Sequence, residues 1–321
     1  MNHLESRQVG RTDVHVSTVG LGAAPLANLY KDVPEAQAVE TIQRCLEAGI
    51  TLFDAAPVYG GGLAEIRLGL ALAGVERDQY VISTKVGAFS ISERWGWERD
   101  FDFSHDGVFR SVEGSLKRLR IDWIDILLIH DPDRYHQQAL EEAYPAIIEL
   151  KEQGLVKAIG VGMNWVEPLV AFANEADFDC FMMAGQYSLL NQNGLAFMDF
   201  CAERGIGILS AGVYNSGILA TGPVPGAKYF YRDASPEILD RTRKIETICN
   251  RYDTPLKVAA LRFPLEHPAT SSVVLGTSSP SRIDDYISAL HWPIPPELWA
   301  DLKREGLLAE DAPISGAGAV S

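Results

Sequence analysis

The sequence predicts an α/β fold, a (β/α)₈ or TIM barrel of eight parallel strands that each lead into a helix. Short apolar runs alternate with amphipathic stretches at regular spacing along the chain, which is typical of repeated βα units. Three of the amphipathic stretches are followed by Gly49, Gly154 and Gly205. Glycine at such a position adopts the left-handed conformation that ends a helix before the next strand. Together these observations favour a closed parallel sheet.

The predicted strands are eight short apolar runs, which is enough to close a barrel: Ser17–Gly22, Ile50–Asp54, Tyr80–Val86, Trp123–His130, Val156–Val161, Cys180–Gly185, Ile206–Ser210 and Ser271–Leu275. The predicted helices are the amphipathic stretches that alternate with them: Pro34–Ala48, Ala64–Ala73, Asp106–Leu119, Gln138–Gln153, Val166–Glu175, Gly194–Glu203, Pro236–Arg251 and Ser281–Leu290.

Three further elements fall outside this alternation. Residues Arg7–Ser17 carry a Gly-Arg-Thr-Asp turn between short alternating runs, which predicts an N-terminal hairpin that closes the barrel floor. Extra helices are predicted at Leu256–His267, before strand 8, and at Pro296–Gly306, near the C-terminus. No composition shift marks a boundary, so we expect residues 1–321 to form a single domain. The tail Glu310–Ser321 is rich in Ala, Gly and Ser and is expected to be disordered.

The composition is that of a globular protein with a sizeable core, at 47% hydrophobic and 22% charged residues. There are 28 Lys and Arg residues against 43 Asp and Glu, for a formal charge of -15. Such an acidic chain is a poor partner for nucleic acid or an anionic membrane. We therefore expect neither a nucleic-acid nor a membrane partner, and a monomer or weak homo-oligomer.

Location and metal content are also addressed by the sequence. The first residues lack the pattern of a signal peptide, and no apolar run is long enough to cross a bilayer, so a cytoplasmic location is expected. The four cysteines, Cys45, Cys180, Cys201 and Cys249, lie far apart. This spacing does not fit a zinc site or a redox dithiol, so buried reduced thiols and no metal are predicted.

Four side chains with matching acid–base chemistry, Asp54, Tyr59, Lys85 and His130, lie at or just beyond the carboxyl ends of three successive predicted strands. That rim is where parallel barrels do their chemistry. Each residue alone also fits a packing or capping role, whereas the four together favour catalysis.

A phenol can both donate and accept a proton, as the interconversion of an alcohol and a carbonyl requires. We expect the ammonium of Lys85 to lower the pKa of Tyr59 from its free value of about 10. Asp54 would hold Lys85 charged and oriented, and His130 would orient the substrate oxygen.

Several motifs resemble those of the aldo-keto reductase family across nearly the whole chain: Val19-Gly20-Leu21-Gly22, Phe53-Asp54-Ala55-Ala56-Pro57-Val58-Tyr59-Gly60, Ser83-Thr84-Lys85, Ser115-Leu116-Lys117-Arg118-Leu119 with Asp125 to His130, and Val274 to Tyr286. The resemblance implies a (β/α)₈ barrel that binds a nicotinamide dinucleotide, NAD or NADP, in extended form. It also implies a catalytic tetrad of Asp54, Tyr59, Lys85 and His130.

The resemblance further implies a set of dinucleotide contacts: Gly22, Ala23, Asp54, Asn164, Gln186, Gly217, Leu219, Gly276, Thr277, Ser278, Arg282 and Asp285. The spelling Gly162-Met163-Asn164 leaves open whether Met163 or Asn164 is the contact after the fifth strand. Many relatives stack a Tyr beneath the nicotinamide at about the position of Ala211, and this chain lacks it.

The adenosine end of the dinucleotide is expected at Leu275–Arg282, where small and hydroxyl residues lead into a helix. Backbone N–H groups, the helix dipole and Arg282 can meet an anion there, although an ordinary capped helix has the same pattern. NADP-preferring relatives often carry Lys where Gly276 stands. Its absence slightly favours NAD or dual use, while Arg282 keeps NADP open.

The loop Gly87–Ser104 is longer than most barrel loops and rich in aromatic residues. We expect Trp95 and Trp97, with Tyr59 and His130, to contact the substrate, although packing onto the rim is the alternative. Such a composition suits sugars and aromatic rings equally. Asp131 and Asp133 either accept hydrogen bonds from substrate hydroxyls or cap the next helix, and the sequence leaves both open.

Within the family, Gly185–Leu190, Tyr214–Gly222 and Leu261–Leu265 are similar to dehydrogenases of L-fucose, D-threo-aldose and L-galactose type aldoses, a branch that includes pyridoxal 4-dehydrogenases. The resemblance implies a small-molecule sugar or aldehyde as the partner, and oxidation of the C1 hemiacetal hydroxyl of an aldose to a lactone. Three alternatives are a pyridoxal 4-dehydrogenase, an NADPH-dependent aldehyde reductase and a catalytically silent regulator that binds the cofactor.

Overall fold

Eight parallel strands close into a barrel in chain order, which confirms the predicted α/β TIM barrel. The computed structural model describes residues 4–90 and 99–314. The barrel strands are β1 Val19–Gly22, β2 Leu52–Asp54, β3 Val81–Val86, β4 Ile124–His130, β5 Val156–Met163, β6 Cys180–Ala184, β7 Gly207–Ala211 and β8 Thr270–Gly276. The predicted and observed strands agree to within two residues at each end.

The helices that alternate with the strands cover the outside of the barrel: α1 Glu35–Glu47, α2 Leu63–Ala71, α3 His105–Leu119, α4 Tyr144–Glu152, α5 Val166–Glu175, α6 Leu195–Arg204, α7 Pro236–Arg251 and α8 Ser281–Leu290. The predicted helix Gln138–Gln153 is in fact three pieces, with a π-turn at Ala139–Ala143 before α4. Pro145 lies in the first turn of α4 and has no N–H to donate, so the hydrogen-bond ladder is interrupted where the π-turn occurs.

Both extra helices are present, with earlier ends than predicted. The first runs over Leu256–Arg262 and continues as a 3₁₀ turn, Phe263–Glu266, because Pro264 cannot continue the α-helical ladder. The second runs over Pro296–Arg304. The sequence analysis missed two short hairpins, Ala88–Ser90 with Arg99–Phe101 and Lys228–Tyr229 with Arg232–Asp233. They lie in the loops after β3 and β7.

The N-terminal hairpin pairs Ser6–Gln8 with His15–Ser17 in antiparallel register, as predicted. Its residues Val9, Val14 and Val16 pack in one cluster with inward-facing barrel side chains such as Leu128 and Leu209. The hairpin therefore closes the end of the barrel where the chain enters the strands. Catalytic access is left to the opposite rim.

The barrel wall buries both faces of its strands. Along β4, Ile126 and Leu128 point into the barrel interior, whereas Leu127 and Ile129 pack against the helices. This double burial is why the strands read as continuous apolar runs in the sequence rather than as alternating ones.

The last described residues pack against the barrel. Ala312 is buried and Ile314 contacts the main core cluster. Residues 310–314 are therefore ordered, whereas their composition predicted a disordered tail. The reason is that Ala312 and Ile314 pack against the core. Residues 315–321 lie outside the described part.

All four cysteines are free and buried, which matches their predicted state. Within residues 4–90 and 99–314, no three His, Cys, Asp or Glu side chains are grouped as a metal ion would require. None of the helices in the same ranges combines the length and the apolar character that a membrane span needs.

Candidate active site

Three neighbouring strands bring the four predicted acid–base residues together. Asp54 is the last residue of β2, Lys85 is the second-last of β3 and His130 is the last of β4. The parallel register sets Asp54 beside Ser83, and Tyr59 lies in the turn that follows β2. Because the carboxyl ends of parallel strands share one rim, the side chains meet there, as the sequence predicted.

Lys85 is buried in an ion pair with Asp54. Its Nζ lies 2.9 and 2.8 Å from the two carboxylate oxygens and donates to the carbonyl oxygen of Ala55 at 2.7 Å. Ser83 Oγ donates to Asp54 Oδ1 at 2.8 Å. Burial by itself lowers the pKa of Lys85, but the carboxylate of Asp54 outweighs it and the pKa is raised. Lys85 is therefore held as a cation at neutral pH.

Tyr59 is partly buried at the mouth, and Nζ of Lys85 lies 4.9 Å from the centroid of its phenol ring. Burial raises the pKa of Tyr59, Lys85 opposes this, and the charge of Asp54 raises it again. The predicted lowering of this pKa is thus wrong for the net shift. At the phenol, the opposite charges of Lys85 and Asp54 largely cancel. The ammonium therefore does not offset the rise in pKa that burial of the phenol causes.

His130 is buried opposite the phenol. The two rings meet edge-on, with centroids 5.9 Å apart and an angle of 89°. Burial, then the cations of Lys85 and Arg99, hold the pKa of His130 well below its ordinary value. The imidazole is therefore neutral at physiological pH, and its Nδ1 has no hydrogen-bond partner among the described residues. It can orient a substrate oxygen by a hydrogen bond without carrying charge.

An ion pair that sequence reasoning did not find borders the same site. Arg99 Nη1 lies 2.7 Å from Oδ2 of Asp131, and that oxygen is 4.0 Å from Nε2 of His130. Arg99 belongs to the hairpin after β3, and Asp131 directly follows β4. The position of Asp131 next to His130 in the sequence indicated that Asp131 lies at the site. Its pairing with Arg99 depends on how the loop after β3 folds, which residue spacing alone does not reveal.

The rim between β1 and β8 is built from small residues. Gly22 pairs with Gly276 across the two strands, and the N–H of Ala23 donates to the carbonyl of Asp54 at 2.8 Å. A Cβ on Gly276 would lie 3.0 Å from Cγ of Pro25. A side chain at this position would therefore need Pro25 to shift by a few tenths of an ångström where it crosses the end of β8. This low rim leaves the backbone open to an extended ligand, in keeping with the predicted contacts.

Gln186 lies just beyond β6 with both ends of its amide engaged. Its Nε2 donates to the backbone oxygen of Asn164 at 2.6 Å, and its Oε1 accepts from Asn191 at 3.1 Å. Met163 is buried in the core, whereas Asn164 is only partly buried. The geometry thus favours Asn164 over Met163 as the rim residue that the sequence left ambiguous. Asn191, which holds Gln186, was missed by the sequence analysis.

The loop after β7 contains the next two predicted contacts. Gly217 has φ of 99°, and no atom lies within 4 Å of the place where a Cβ would stand. Leu219 is different, because its side chain is buried in the core and its N–H donates to the carbonyl of Tyr214 at 3.2 Å. The structure places Gly217 on the open side of the loop and the side chain of Leu219 beneath it, and the contacts of both residues with a dinucleotide remain predictions.

The predicted anion site lies where β8 leads into α8. Thr277 and Ser278 are buried, and Arg282 is exposed in the first turn of α8. Arg282 forms no ion pair with the other described residues. Asp285 is exposed and lies 3.1 Å from the ammonium of Lys257. Arg282 is therefore available for an anion, while Asp285 is engaged in a surface ion pair.

The aromatic loop after β3 divides into two parts. Phe103 is fully buried, and a Cβ on Gly87 would lie only 2.1 Å from its ring, so Phe103 packs onto the rim. Phe101 stacks on Phe103 with ring centroids 5.7 Å apart, and Phe89 is 40% exposed. The predicted substrate contacts Trp95 and Trp97 lie outside the described residues. Rim packing thus accounts for Phe103, and Phe89 remains open to solvent.

The arrangement has the parts of an alcohol and carbonyl oxidoreductase: a phenol, a buried ammonium close to its ring, a neutral imidazole opposite and a low glycine rim beside them. The sequence profile of the aldo/keto reductase family matches residues 18–305. The chain belongs to this family. It is an NAD(P)-dependent oxidoreductase, and the glycine rim, the open loop at Gly217 and the available Arg282 fit a dinucleotide lying along the barrel mouth.

Among curated proteins, the chain is 38% identical to the pyridoxal 4-dehydrogenase of Microbacterium luteolum, over 95% of this chain and 98% of that protein. It is 36% identical to the D-threo-aldose 1-dehydrogenase of a Pseudomonas species, over 91% and 95%. The L-galactose dehydrogenase of Arabidopsis thaliana is 31% identical, over 90% and 89%.

Among solved structures, an aldo-keto reductase from Bacillus halodurans in its holo form superimposes with a TM-score of 0.79 at 26% identity, covering 96% of this chain and 97% of that one. The chain therefore has the same barrel fold as this structurally characterised relative along nearly its whole length. The matches to pyridoxal and aldose dehydrogenases agree with the branch that the motifs resemble.

Proposed function

We propose that this aldo-keto reductase oxidises the C1 hemiacetal hydroxyl of an aldose to a lactone, with Tyr59 as the proton acceptor. The observation that carries the proposal is the partly buried phenol of Tyr59, whose ring centroid lies 4.9 Å from Nζ of Lys85 and 5.9 Å from the centroid of the neutral His130 ring. The similarity to D-threo-aldose and L-galactose dehydrogenases supports the substrate class.

Each residue has one role in this reaction. A nicotinamide dinucleotide supplies the hydride acceptor. His130 donates a hydrogen bond to the reacting oxygen, and Tyr59 takes the hydroxyl proton. Lys85 stabilises the phenolate that results, and Asp54 keeps Lys85 charged and aimed. Because the resting phenol is protonated, we expect oxidation to gain from alkaline conditions and the reverse reduction to run well at neutral pH.

For the cofactor, we propose NAD, or NAD and NADP both. Gly276 carries no cation, and Pro25 lies 3.0 Å from where a Cβ at that position would stand. A lysine there, which would help to neutralise a 2′-phosphate, is therefore disfavoured by packing as well as absent. Arg282 is exposed and can bind a 2′-phosphate, so NADP remains part of the proposal.

A second candidate is pyridoxal 4-dehydrogenase activity, which the 38% identity to the Microbacterium luteolum enzyme favours. The reacting group is again an alcohol carbon, so the same tetrad serves. A general NADPH-dependent aldehyde reductase uses the same tetrad and is tested by the same assay. A silent regulator would not need the complete Asp54, Tyr59, Lys85 and His130 constellation.

The test is a screen of NAD⁺ and NADP⁺ reduction against a panel of aldoses, pyridoxal and simple alcohols. We expect turnover with an aldose that is lost in Tyr59→Phe, by about 100-fold or more, because a proton acceptor is removed. Dinucleotide affinity, followed by fluorescence titration, should not change. Tyr144→Phe is the matched control, since its hydroxyl bonds Asp177 on the outer layer at 3.2 Å. Turnover with pyridoxal and with no aldose would overturn the sugar assignment.

A further inference from the structure

A second carboxylate faces the reacting groups without belonging to the tetrad. Asp131 directly follows β4 with φ of 48° and ψ of 53°, a left-handed conformation that is uncommon for a residue with a Cβ. Its N–H donates to the carbonyl of Gly162 at 3.0 Å, which holds it at the end of β5. Asp is among the residues that adopt this conformation most readily, and here it sets the direction in which the carboxylate leaves the backbone.

The carboxylate of Asp131 lies beside the imidazole of His130. Its side chain is 12% exposed, and Oδ2 lies 4.0 Å from Nε2 of His130. After burial and Asp54, the charge of Asp131 also contributes to the raised pKa of Tyr59. Arg99 holds Oδ2 from the other side at 2.7 Å. Among the described residues, no hydrogen bond engages Oδ1.

The 4.0 Å gap between His130 Nε2 and Asp131 Oδ2 is too long for a direct hydrogen bond. The gap fits two neighbouring substrate oxygens, one hydrogen-bonded to Nε2 of His130 and the other hydrogen-bonded to the carboxylate of Asp131. The reacting oxygen must lie at Nε2, within reach of the Tyr59 hydroxyl. An oxygen on the adjacent carbon lies about one hydrogen-bond length away from it, and so comes within reach of the carboxylate.

We propose that Asp131 is a specificity-determining residue that accepts a hydrogen bond from a hydroxyl on the substrate carbon next to the reacting one. Arg99 is the positioning residue that keeps the carboxylate in place. The inference rests on the proposed function, for which that group is the C2 hydroxyl of the aldose. A site with an unused charged acceptor rejects analogues that lack the donor, because the carboxylate loses water without gaining a partner.

The test compares kcat/KM for an aldose and its 2-deoxy counterpart, beginning with L-fucose and 2-deoxy-L-fucose. In the wild type, the aldose should be preferred. Asp131→Ala should lower kcat/KM for the aldose by about 10- to 100-fold, the worth of a charge-assisted hydrogen bond, and leave the 2-deoxy sugar little changed. Asp131→Asn, which keeps an acceptor without the charge, should fall between the two. The control is Asp133→Ala, which removes an exposed carboxylate from the next turn and should alter neither sugar.

Results that contradict the role of Asp131 can be told apart from results that contradict the proposed function. If the ion pair only braces the loop, Arg99→Gln and Asp131→Ala will lower kcat/KM for both sugars alike, and the inference is overturned. Unaltered discrimination in Asp131→Ala overturns it too, while the proposed function stands. If the wild type oxidises no aldose at all, the proposed function fails before any variant is made, and the inference fails with it.

Discussion

At the scale of single residues, the chemistry depends on a balance of charge and burial around one phenol. Lys85 lies against Tyr59, yet it shares its charge with Asp54 through two contacts of 2.9 and 2.8 Å. The residue types suggest which group serves as acid and base and which one orients the substrate, and these roles are part of the proposed function. The net proton affinity depends on how deeply each group is buried, and residue types do not specify burial.

This balance can be titrated directly in the free protein. Burial raises the pKa of Tyr59, so its phenolate should form only above the ordinary value of about 10. Below that pH, both Tyr59 and an ordinary tyrosine are protonated, and the raised pKa delays ionisation as the pH increases. The measurement is the difference in phenolate absorbance between wild type and Tyr59→Phe across an alkaline titration. Ionisation of Tyr59 near neutral pH would show that Lys85 outweighs desolvation.

At the scale of elements, parallel register does most of the assembly. Adjacent strands β2, β3 and β4 each deliver one tetrad residue to the rim, and β1 and β8 deliver Gly22 and Gly276 opposite each other. Loops contribute what strands cannot: the Arg99 hairpin places a cation on Asp131, and the turn at Pro25 fills the space above Gly276. The strand ends were predictable from apolar runs, whereas these loop contacts were not, since they join segments with no shared periodicity.

The contact between Pro25 and Gly276 makes a prediction about cofactor choice. Gly276→Lys alone should not increase the preference for NADP⁺, because its Cβ would stand 3.0 Å from Cγ of Pro25 and displace the loop. In a Pro25→Ala background the same lysine has room, and its ammonium should favour the 2′-phosphate. The measurement is the ratio of kcat/KM for NADP⁺ to that for NAD⁺ in the two single variants and the double variant. A raised ratio in Gly276→Lys alone would show that Pro25 is no barrier.

At the scale of the whole molecule, the barrel works because one end is closed and the other is open. The N-terminal hairpin inserts Val9, Val14 and Val16 beneath the inward-facing side chains. Tyr59 and His130 stand at the opposite rim. The cytoplasmic location and the monomeric or weakly oligomeric state remain predictions from the sequence.

Closure of the floor can be tested with a pair of glycines that differ in one respect. Gly10 and Gly74 both have positive φ, so alanine strains the backbone at each, at about 1 kcal/mol or more. A Cβ at Gly10 would also lie 2.2 Å from the carbonyl oxygen of Asp179, while nothing lies within 4 Å at Gly74. Gly10→Ala should therefore lower the free energy of unfolding clearly more than Gly74→Ala does. If urea denaturation gave the same decrease in the free energy of unfolding for both variants, the hairpin would be able to move away from the added Cβ without loss of stability.

The sequence by itself determined the barrel, the position of its strands and the identity of Asp54, Tyr59, Lys85 and His130, because apolar runs and strand ends are local features of the chain. Only the tertiary structure decided that Asn164 rather than Met163 reaches the rim, that Leu219 is buried and that Arg99 pairs with Asp131. It also reversed the expected shift of the Tyr59 pKa. These outcomes depend on burial and on contacts between distant segments, and both arise only when the chain closes on itself.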